Sequence, residues 1–191
     1  MKPTKIVCMG DSLTEGYNIP QATRWTDLLQ DELKIQIINR GISGDTTGGM
    51  LARFQHEVVA AAPRHVIIMG GTNDLWFGLS HQLILSNYHA MLRHAQLHGI
   101  QTIIGIPTPV FHEGIEDEDD HRLYQNLPNL SQNVRKLQDK LRIYAADQNL
   151  PSIDFSKGMT PDLFLLDGVH PNEAGNLVMM ENAKVVFTNF L

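Results

Sequence analysis

The sequence predicts an α/β fold, a three-layer sandwich in which helices cover both faces of a parallel sheet. Short apolar segments alternate along the chain with longer segments of helical pattern, which is the order typical of α/β proteins. The apolar segments are continuous rather than alternating, as expected for strands covered on both faces. A chain of 191 residues can bury a core of its own, and no repeat or linker divides it, so residues 1–191 are expected to form one domain.

Five strands are expected from the short apolar runs. They are Lys5–Met9, Ile35–Asn39, His65–Met69, Thr102–Ile106 and Ser152–Phe155. The third and fourth contain the continuous apolar runs Val66–Met69 and Ile103–Ile106, which suit strands covered on both faces.

Four helices are expected, three of them from apolar residues at spacings of three and four. They cover Leu51–Ala61, Ile84–Ala95, Leu130–Leu141 and a last segment from about Asn172 to about Phe190. Pro63 ends the first of these. Ser80 is a plausible N-cap for the second, and Gly99 is its C-terminal stop.

Composition excludes several classes of protein. The net charge of -6 and the pI near 5.8 disfavour a nucleic-acid surface, which needs clustered basic residues. The single cysteine, Cys8, cannot form an internal disulfide and is expected to be an inert core residue. The first apolar run is too short for a signal peptide, and no segment is long enough for a membrane span, so a cytoplasmic location is expected.

One segment departs from the average composition. Thr108–Asp120 follows the fourth strand and carries six acidic residues. A solvated loop explains such a run of charge, and a lid over the site is the alternative. A calcium loop is disfavoured, because the acidic residues lack the EF-hand spacing and its central glycine.

Polar and glycine-rich segments follow four of the predicted strands. They are Gly10-Asp11-Ser12, Gly41-Ile42-Ser43-Gly44-Asp45, Gly70-Gly71-Thr72-Asn73-Asp74, and the Asp167-Gly168-Val169-His170 segment after the fifth strand. Ligands of open parallel sheets bind beyond the carboxyl ends of the strands, so these segments are expected to meet at one site.

Ser12, His170 and Asp167 are the candidate catalytic residues. A serine hydroxyl becomes a useful nucleophile when a base takes its proton, and a histidine held by a carboxylate is such a base. Two alternatives stay open. Taken alone, Ser12 is more typical of a helix N-cap than of a nucleophile, and an Asp–His pair can simply fix a loop.

Stabilisation of an oxyanion would need hydrogen-bond donors beside the nucleophile. The backbone N–H groups of Ser12 and Gly44 and the side-chain amide of Asn73 are candidates, coming from three different loops. A glycine turn and an Asx-turn are the alternatives for Gly44 and Asn73. Leu75, Trp76 and Phe77 follow at the expected mouth of the site, where they either bind substrate or pack beneath the loop.

A non-catalytic α/β binding or receiver module is the rival class. Asp11 at the end of the first strand suits a receiver superficially, but a receiver needs an aspartate directly after the third strand. Glycines occupy that place here, and Lys157 is only loosely near the position of a receiver lysine. The glycine fingerprints of phosphate and dinucleotide sites are also absent.

Four ordered segments of this chain resemble the blocks of the SGNH, or GDSL, hydrolase family. Gly10-Asp11-Ser12-Leu13 matches the first block, Gly41–Thr46 the second, Gly71–Asp74 the third and Asp167–His170 the fifth. The second block is most similar to those of the small esterase, lysophospholipase and thioesterase members.

The resemblance implies a flavodoxin-like sheet in the order 2-1-3-4-5 and an acyl-serine intermediate. It places Ser12 as the nucleophile, Asp167 and His170 as its triad partners, and Ser12, Gly44 and Asn73 in the oxyanion hole. It also implies a small-molecule ester or thioester as substrate, with no metal or organic cofactor.

Overall fold

Five parallel strands form one sheet in the order β2-β1-β3-β4-β5. The computed structural model describes residues 5–111 and 127–188. The strands are β1 Lys5–Gly10, β2 Gln36–Gly41, β3 His65–Met69, β4 Gln101–Ile106 and β5 Ser152–Asp154. The predicted fold class and strand order are confirmed, and the predicted strand ends differ from the observed ones by two residues at most.

Helices connect the strands and cover both faces of the sheet. They are α1 Ser12–Glu15, α2 Trp25–Leu33, α3 Thr47–Phe54, α4 Thr72–Trp76, α5 His81–Leu97, α6 Leu127–Asp147 and α7 Glu173–Thr188, with a π-helical turn Gln55–Val59 after α3 and 3-10 turns at Gln21–Thr23 and Pro161–Leu163. Ser80 caps α5 as predicted, accepting a hydrogen bond from the Leu83 N–H. Helix α2 was not predicted; it buries Trp25 and Leu29, four residues apart.

The core lies on both faces of the sheet, which explains the continuous apolar strands. In β1, Val7 and Met9 pack with α3, α5 and α6, whereas Ile6 and Cys8 pack with α2 and α7. Because successive side chains of a strand point to opposite faces, a strand covered on both sides has no polar face.

The strand register places the ends of β1, β2 and β3 level with each other. Gly10 pairs with Gly41 on one side and with Met69 on the other. Helix α1 sits directly over this edge, since a Cβ on Gly10 would lie 2.0 Å from the Thr14 hydroxyl and a Cβ on Gly41 2.1 Å from the Glu15 nitrogen. Glycine at both strand ends therefore lets α1 pack over the sheet.

The acidic segment predicted after the fourth strand lies largely outside the described residues, from 112 to 120. Its described beginning joins the site, because the Phe111 N–H donates to the Gly168 carbonyl at 2.8 Å. In the described ranges, no helix is both long and apolar enough to cross a membrane.

Candidate active site

Ser12 begins the short helix α1, directly beyond the carboxyl end of β1. The N-cap of this helix is Asp11, whose Oδ1 accepts a hydrogen bond from the Leu13 N–H at 2.9 Å. The N-cap interpretation of Ser12 is therefore wrong by one residue. With its neighbour capping the helix, the Ser12 side chain makes its contact elsewhere in the site.

Ser12, His170 and Asp167 form one continuous chain of hydrogen bonds. The Ser12 Oγ lies 2.9 Å from the His170 Nε2, and the His170 Nδ1 lies 2.7 Å from the Asp167 Oδ2. A neutral imidazole protonated at Nδ1 fits both contacts, because it donates to the carboxylate and accepts from the hydroxyl. The structure thus brings together three side chains that span 158 positions of the sequence.

The loop Asp167–His170 is held by the same aspartate that meets the histidine ring. The Asp167 Oδ1 accepts hydrogen bonds from the backbone N–H groups of Val169 and His170, each at 2.9 Å. Gly168 has a φ of 65°, in the left-handed region that glycine adopts without strain. Asp167 therefore fixes the loop with one oxygen and contacts the imidazole with the other.

Asp167 is stabilised in its ionised form despite its surroundings. Burial opposes the charge, but the hydrogen bonds from the His170 ring and from two backbone N–H groups outweigh it and lower the pKa of Asp167. A carboxylate thus faces the histidine ring across the neutral pH range.

Gly44 lies in a tight turn on the neighbouring loop, closed by a hydrogen bond from the Asp45 N–H to the Ile42 carbonyl. Its φ is 79°, and a Cβ placed on it would meet nothing within 4 Å. Glycine is therefore favoured here by backbone conformation, and the space beside it is open.

Asn73 is carried by α4 and is tied to the Gly44 loop. Its Nδ2 donates to the Asp45 carbonyl at 2.9 Å, which leaves the second amide hydrogen for another acceptor. The next residue, Asp74, is fully buried and accepts hydrogen bonds from both the N–H and the hydroxyl of Thr47, the first residue of α3. The second and third polar loops are thus fastened together.

Arg53 makes a connection that the sequence did not reveal. Its Nη2 donates to the Gly10 carbonyl at 3.0 Å, two residues before Ser12, and its Nε pairs with Asp45 at 2.8 Å. The guanidinium therefore joins the first polar loop to the second. In the sequence, Arg53 is an ordinary polar position of a helix, and no pattern there signals its contacts with Gly10 and Asp45.

Tyr17 was also missed, although it contacts a predicted site residue. Its ring centroid lies 4.4 Å from that of His170, with 36° between the ring planes. The signal available in the sequence was Gly16, which ends α1 in the left-handed conformation and turns the chain back over the site.

The three apolar residues after Asp74 lie in different environments. Leu75 and Trp76 are half-buried and pack against the cluster of Val110, Leu130 and Val134. Phe77 is 64% exposed. Of the three, Phe77 has the most free surface for contact with a bound molecule.

Asp11 is an ionisable group buried beneath the site. Burial is the largest influence and raises the pKa of Asp11 to about 7, with the carboxylates of Asp74 and Asp45 acting in the same direction. Its Oδ2 has no hydrogen-bond partner among the described residues. Among all the residues that the structure describes, no group of three histidine, cysteine or acidic side chains is placed to hold a metal ion.

Comparisons with known proteins agree with the fold and assign the chain to a family. The model of the GDSL-like Lipase/Acylhydrolase family matches residues 8–178. The chain is 30% identical to an acetylxylan esterase of Geobacillus stearothermophilus over 92% of this chain and 90% of that protein. It is 25% identical to Esterase TesA of Pseudomonas aeruginosa, over 93% of this chain and 84% of that protein.

A solved structure agrees as well. A member of the lipolytic protein G-D-S-L family from Veillonella parvula DSM 2008 superposes with a TM-score of 0.80 at 27% identity, covering 97% of this chain and 98% of that one. Together the fold, the site and these relatives define a carboxylic ester hydrolase. The chain belongs to the GDSL-like lipase/acylhydrolase family, as the four sequence blocks predicted.

Proposed function

We propose that this protein hydrolyses small-molecule carboxylic esters or thioesters through an acyl-serine intermediate, with Ser12 as nucleophile, His170 as base and Asp167 as the group that orients it. The observation that carries the proposal is the unbroken chain from the Ser12 hydroxyl through the His170 ring to the Asp167 carboxylate. A serine hydroxyl in water attacks esters poorly, and a positioned base removes that barrier.

In acylation, the His170 Nε2 takes the hydroxyl proton while the Ser12 Oγ attacks the carbonyl carbon. Asp167 holds the imidazole in the required tautomer and stabilises the imidazolium that forms. The carbonyl oxygen becomes an oxyanion. When the tetrahedral intermediate collapses, the bond to the leaving oxygen or sulfur breaks, and His170 returns its proton to the departing alcohol or thiol.

In deacylation, water replaces the alcohol. His170 takes a proton from the water as its oxygen attacks the acyl-serine carbonyl, and then protonates the Ser12 Oγ as the free acid leaves. Each half of the cycle returns the base to its starting state. Apart from the substrate and the attacking water, these steps use only residues of this chain.

The oxyanion is proposed to receive hydrogen bonds from the backbone N–H groups of Ser12 and Gly44 and from the Asn73 amide. These donors come from three loops that Arg53 and Asp45 hold together. Donors fixed before the reaction stabilise the developing charge without reorganisation, which is their advantage over water.

Acetyl esters are the substrates that the comparisons favour, because the acetylxylan esterase matches nearly the whole chain. Thioesters present the same carbonyl carbon and a thiol that leaves more readily. Phe77, together with Leu75 and Trp76, is proposed to bind the acyl group or the leaving group. Comparing kcat/KM for aryl acetates, acetylated sugars, acyl-CoAs and lysophospholipids would rank these classes.

Replacement of the nucleophile tests the proposal. Ser12→Ala should abolish hydrolysis of p-nitrophenyl acetate while the circular dichroism spectrum and the thermal midpoint stay close to those of the wild type. Ser86→Ala is the matched control, because Ser86 is exposed on α5 and its hydroxyl donates to the Gln82 carbonyl of the same helix. Wild-type turnover in the Ser12→Ala variant would contradict the proposal.

A further inference from the structure

The Tyr17 ring lies against the face of the His170 ring. The centroids are 4.4 Å apart, just below the range of roughly 4.5–7 Å for aromatic pairs, and the planes are inclined by 36°. Tyr17 is 45% exposed, so burial in the core does not account for its position. Among the described residues, none hydrogen-bonds the Tyr17 hydroxyl. The contact of the Tyr17 side chain with His170 is therefore made by its aromatic ring.

The backbone of Tyr17 is fixed to the residue that carries the proposed nucleophile. The N–H groups of Gly16 and Tyr17 both donate to the Ser12 carbonyl, at 3.0 and 3.1 Å. Gly16 makes this turn with a φ of 79°, and a Cβ on it would lie 2.6 Å from the Arg24 side chain. The turn therefore places the aromatic ring at a set position relative to Ser12.

The His170 ring is held by hydrogen bonds at its two nitrogens and by an aromatic contact with Tyr17. Asp167 fixes one edge of the ring through Nδ1, and Ser12 meets the opposite edge through Nε2. These two hydrogen bonds fix the positions of the ring nitrogens. They do not constrain the faces of the ring, so the imidazole can still rotate about the line that joins its two nitrogens. Tyr17 blocks that rotation, because it occupies one face.

We propose that Tyr17 is a positioning residue that holds the His170 imidazole between Ser12 and Asp167 and stabilises the imidazolium formed as Ser12 attacks. The inference rests on the proposed function, because it assumes that His170 accepts the serine proton. An aromatic face within about 6 Å of a cation attracts it, so the ring favours the charged state reached during the reaction. The contribution appears in kcat, since the charge is absent when substrate first binds.

Kinetics of non-aromatic variants test the proposal. Tyr17→Leu and Tyr17→Gln should each lower kcat roughly 3- to 30-fold, the range expected for loss of one such contact, with KM within about twofold of the wild type. Tyr17→Phe keeps the ring and should recover most of the lost rate. Tyr144→Leu is the matched control, because Tyr144 faces His89 away from the proposed site and its loss should leave kcat unchanged.

The hydrogen bond between His170 and Asp167 gives a second measurement. It should change only if Tyr17 positions the His170 ring, and not if Tyr17 merely stabilises the fold. The low-field proton resonance of the His170 Nδ1–H should be sharp in the wild type and in Tyr17→Phe, and should broaden in Tyr17→Leu and Tyr17→Gln as the ring becomes mobile. Thermal midpoints measured alongside separate this effect from loss of the fold.

Three results would overturn the proposal. They are a wild-type kcat in both non-aromatic variants, a loss in Tyr17→Phe as large as in Tyr17→Leu, or a change confined to KM, which would make Tyr17 a wall of the substrate site. An inactive Ser12→Ala beside any of these would leave the proposed function standing. An active Ser12→Ala would remove both.

Discussion

Arg53 and Asp45 form an ion pair of 2.8 Å that lies between two loops of the site. The same guanidinium donates to the Gly10 carbonyl, so the end of β1 and the turn that contains Gly44 share one cation. Both side chains are largely buried, which distinguishes this pair from an exposed salt bridge that would contribute little. The proposed nucleophile and one proposed oxyanion donor are therefore held in a fixed relation by a residue that touches neither.

Arg53→Met should lower kcat on the order of 10²-fold, because small displacements of positioned groups have effects of that size. Thermal unfolding should also occur at a lower temperature, since the Asp45 carboxylate would lose its cation in a largely buried place. Arg40→Met is the matched control: Arg40 pairs with Glu57 at 2.7 Å but is more exposed and lies outside the site. Equal kcat values for the two variants would count against a positioning role for Arg53.

Asn73→Ala should lower kcat by roughly 10²–10³, the usual effect of losing one oxyanion donor, with a smaller change in KM. Asn182→Ala is a suitable control, because the Asn182 amide also donates to a backbone carbonyl, that of Lys157, but at the surface. Steady-state kinetics with p-nitrophenyl acetate give both values. A loss below about threefold in Asn73→Ala would remove Asn73 from the oxyanion hole.

Asp167→Asn should lower kcat by roughly 10³–10⁴ at neutral pH with little change in stability. The amide oxygen can still accept from the Val169 and His170 N–H groups, so the loop keeps its shape. The amide nitrogen, however, cannot accept the Nδ1–H of His170, so the ring takes the wrong tautomer. If kcat stayed within tenfold of the wild type, Asp167 would be only a loop residue.

Asp11 should make the protein less stable as the pH rises. Its pKa is raised from 3.8 to about 7 in the folded state, so folding favours the protonated form. The folded protein is therefore most stable, with respect to this group, below the pKa that Asp11 has in the unfolded chain. That stability is lost as the pH rises through the pKa of Asp11 in the folded protein. Relative to Asp11→Asn, which stays neutral, the wild type should lose up to about 4 kcal/mol of unfolding free energy between about pH 4 and about pH 8.

Urea unfolding of the wild type and of Asp11→Asn at both pH values measures this difference directly. The asparagine side chain keeps an oxygen for the Leu13 N–H, so the helix cap is preserved. Other titrating groups cancel in the comparison. A difference in stability that does not change with pH would contradict the assignment of a raised pKa to Asp11.

The sheet and the meeting of polar loops could be predicted, because both depend on local patterns. Each polar segment follows its own strand, and parallel strands end at one edge of the sheet, so Ser12, Asn73 and His170 were expected together before any distance was known. The order of the strands came from the resemblance to a family, not from the residues alone.

The supporting contacts could not be predicted, because they depend on how elements cross in space. Arg53 reaches Gly10 only because α3 passes beside the end of β1. Tyr17 meets His170 only because a one-turn helix reverses the chain after Ser12. Neither relation leaves a periodic pattern in the sequence. Helix α2 could have been predicted, because Trp25, Leu28, Leu29 and Leu33 recur at helical spacing within its nine residues.

Mapping the site of reaction with a fluorophosphonate tests the central claim most directly. The oxygen of a serine that a neighbouring base activates attacks the phosphorus of such a reagent, fluoride leaves, and a phosphonyl group stays on the serine. Intact-mass and peptide mass spectrometry of the wild type should locate a single phosphonyl group on Ser12, and labelling should be lost in Ser12→Ala and strongly slowed in His170→Ala. A phosphonyl group on another residue, or labelling of Ser12 at an unchanged rate without His170, would contradict the account.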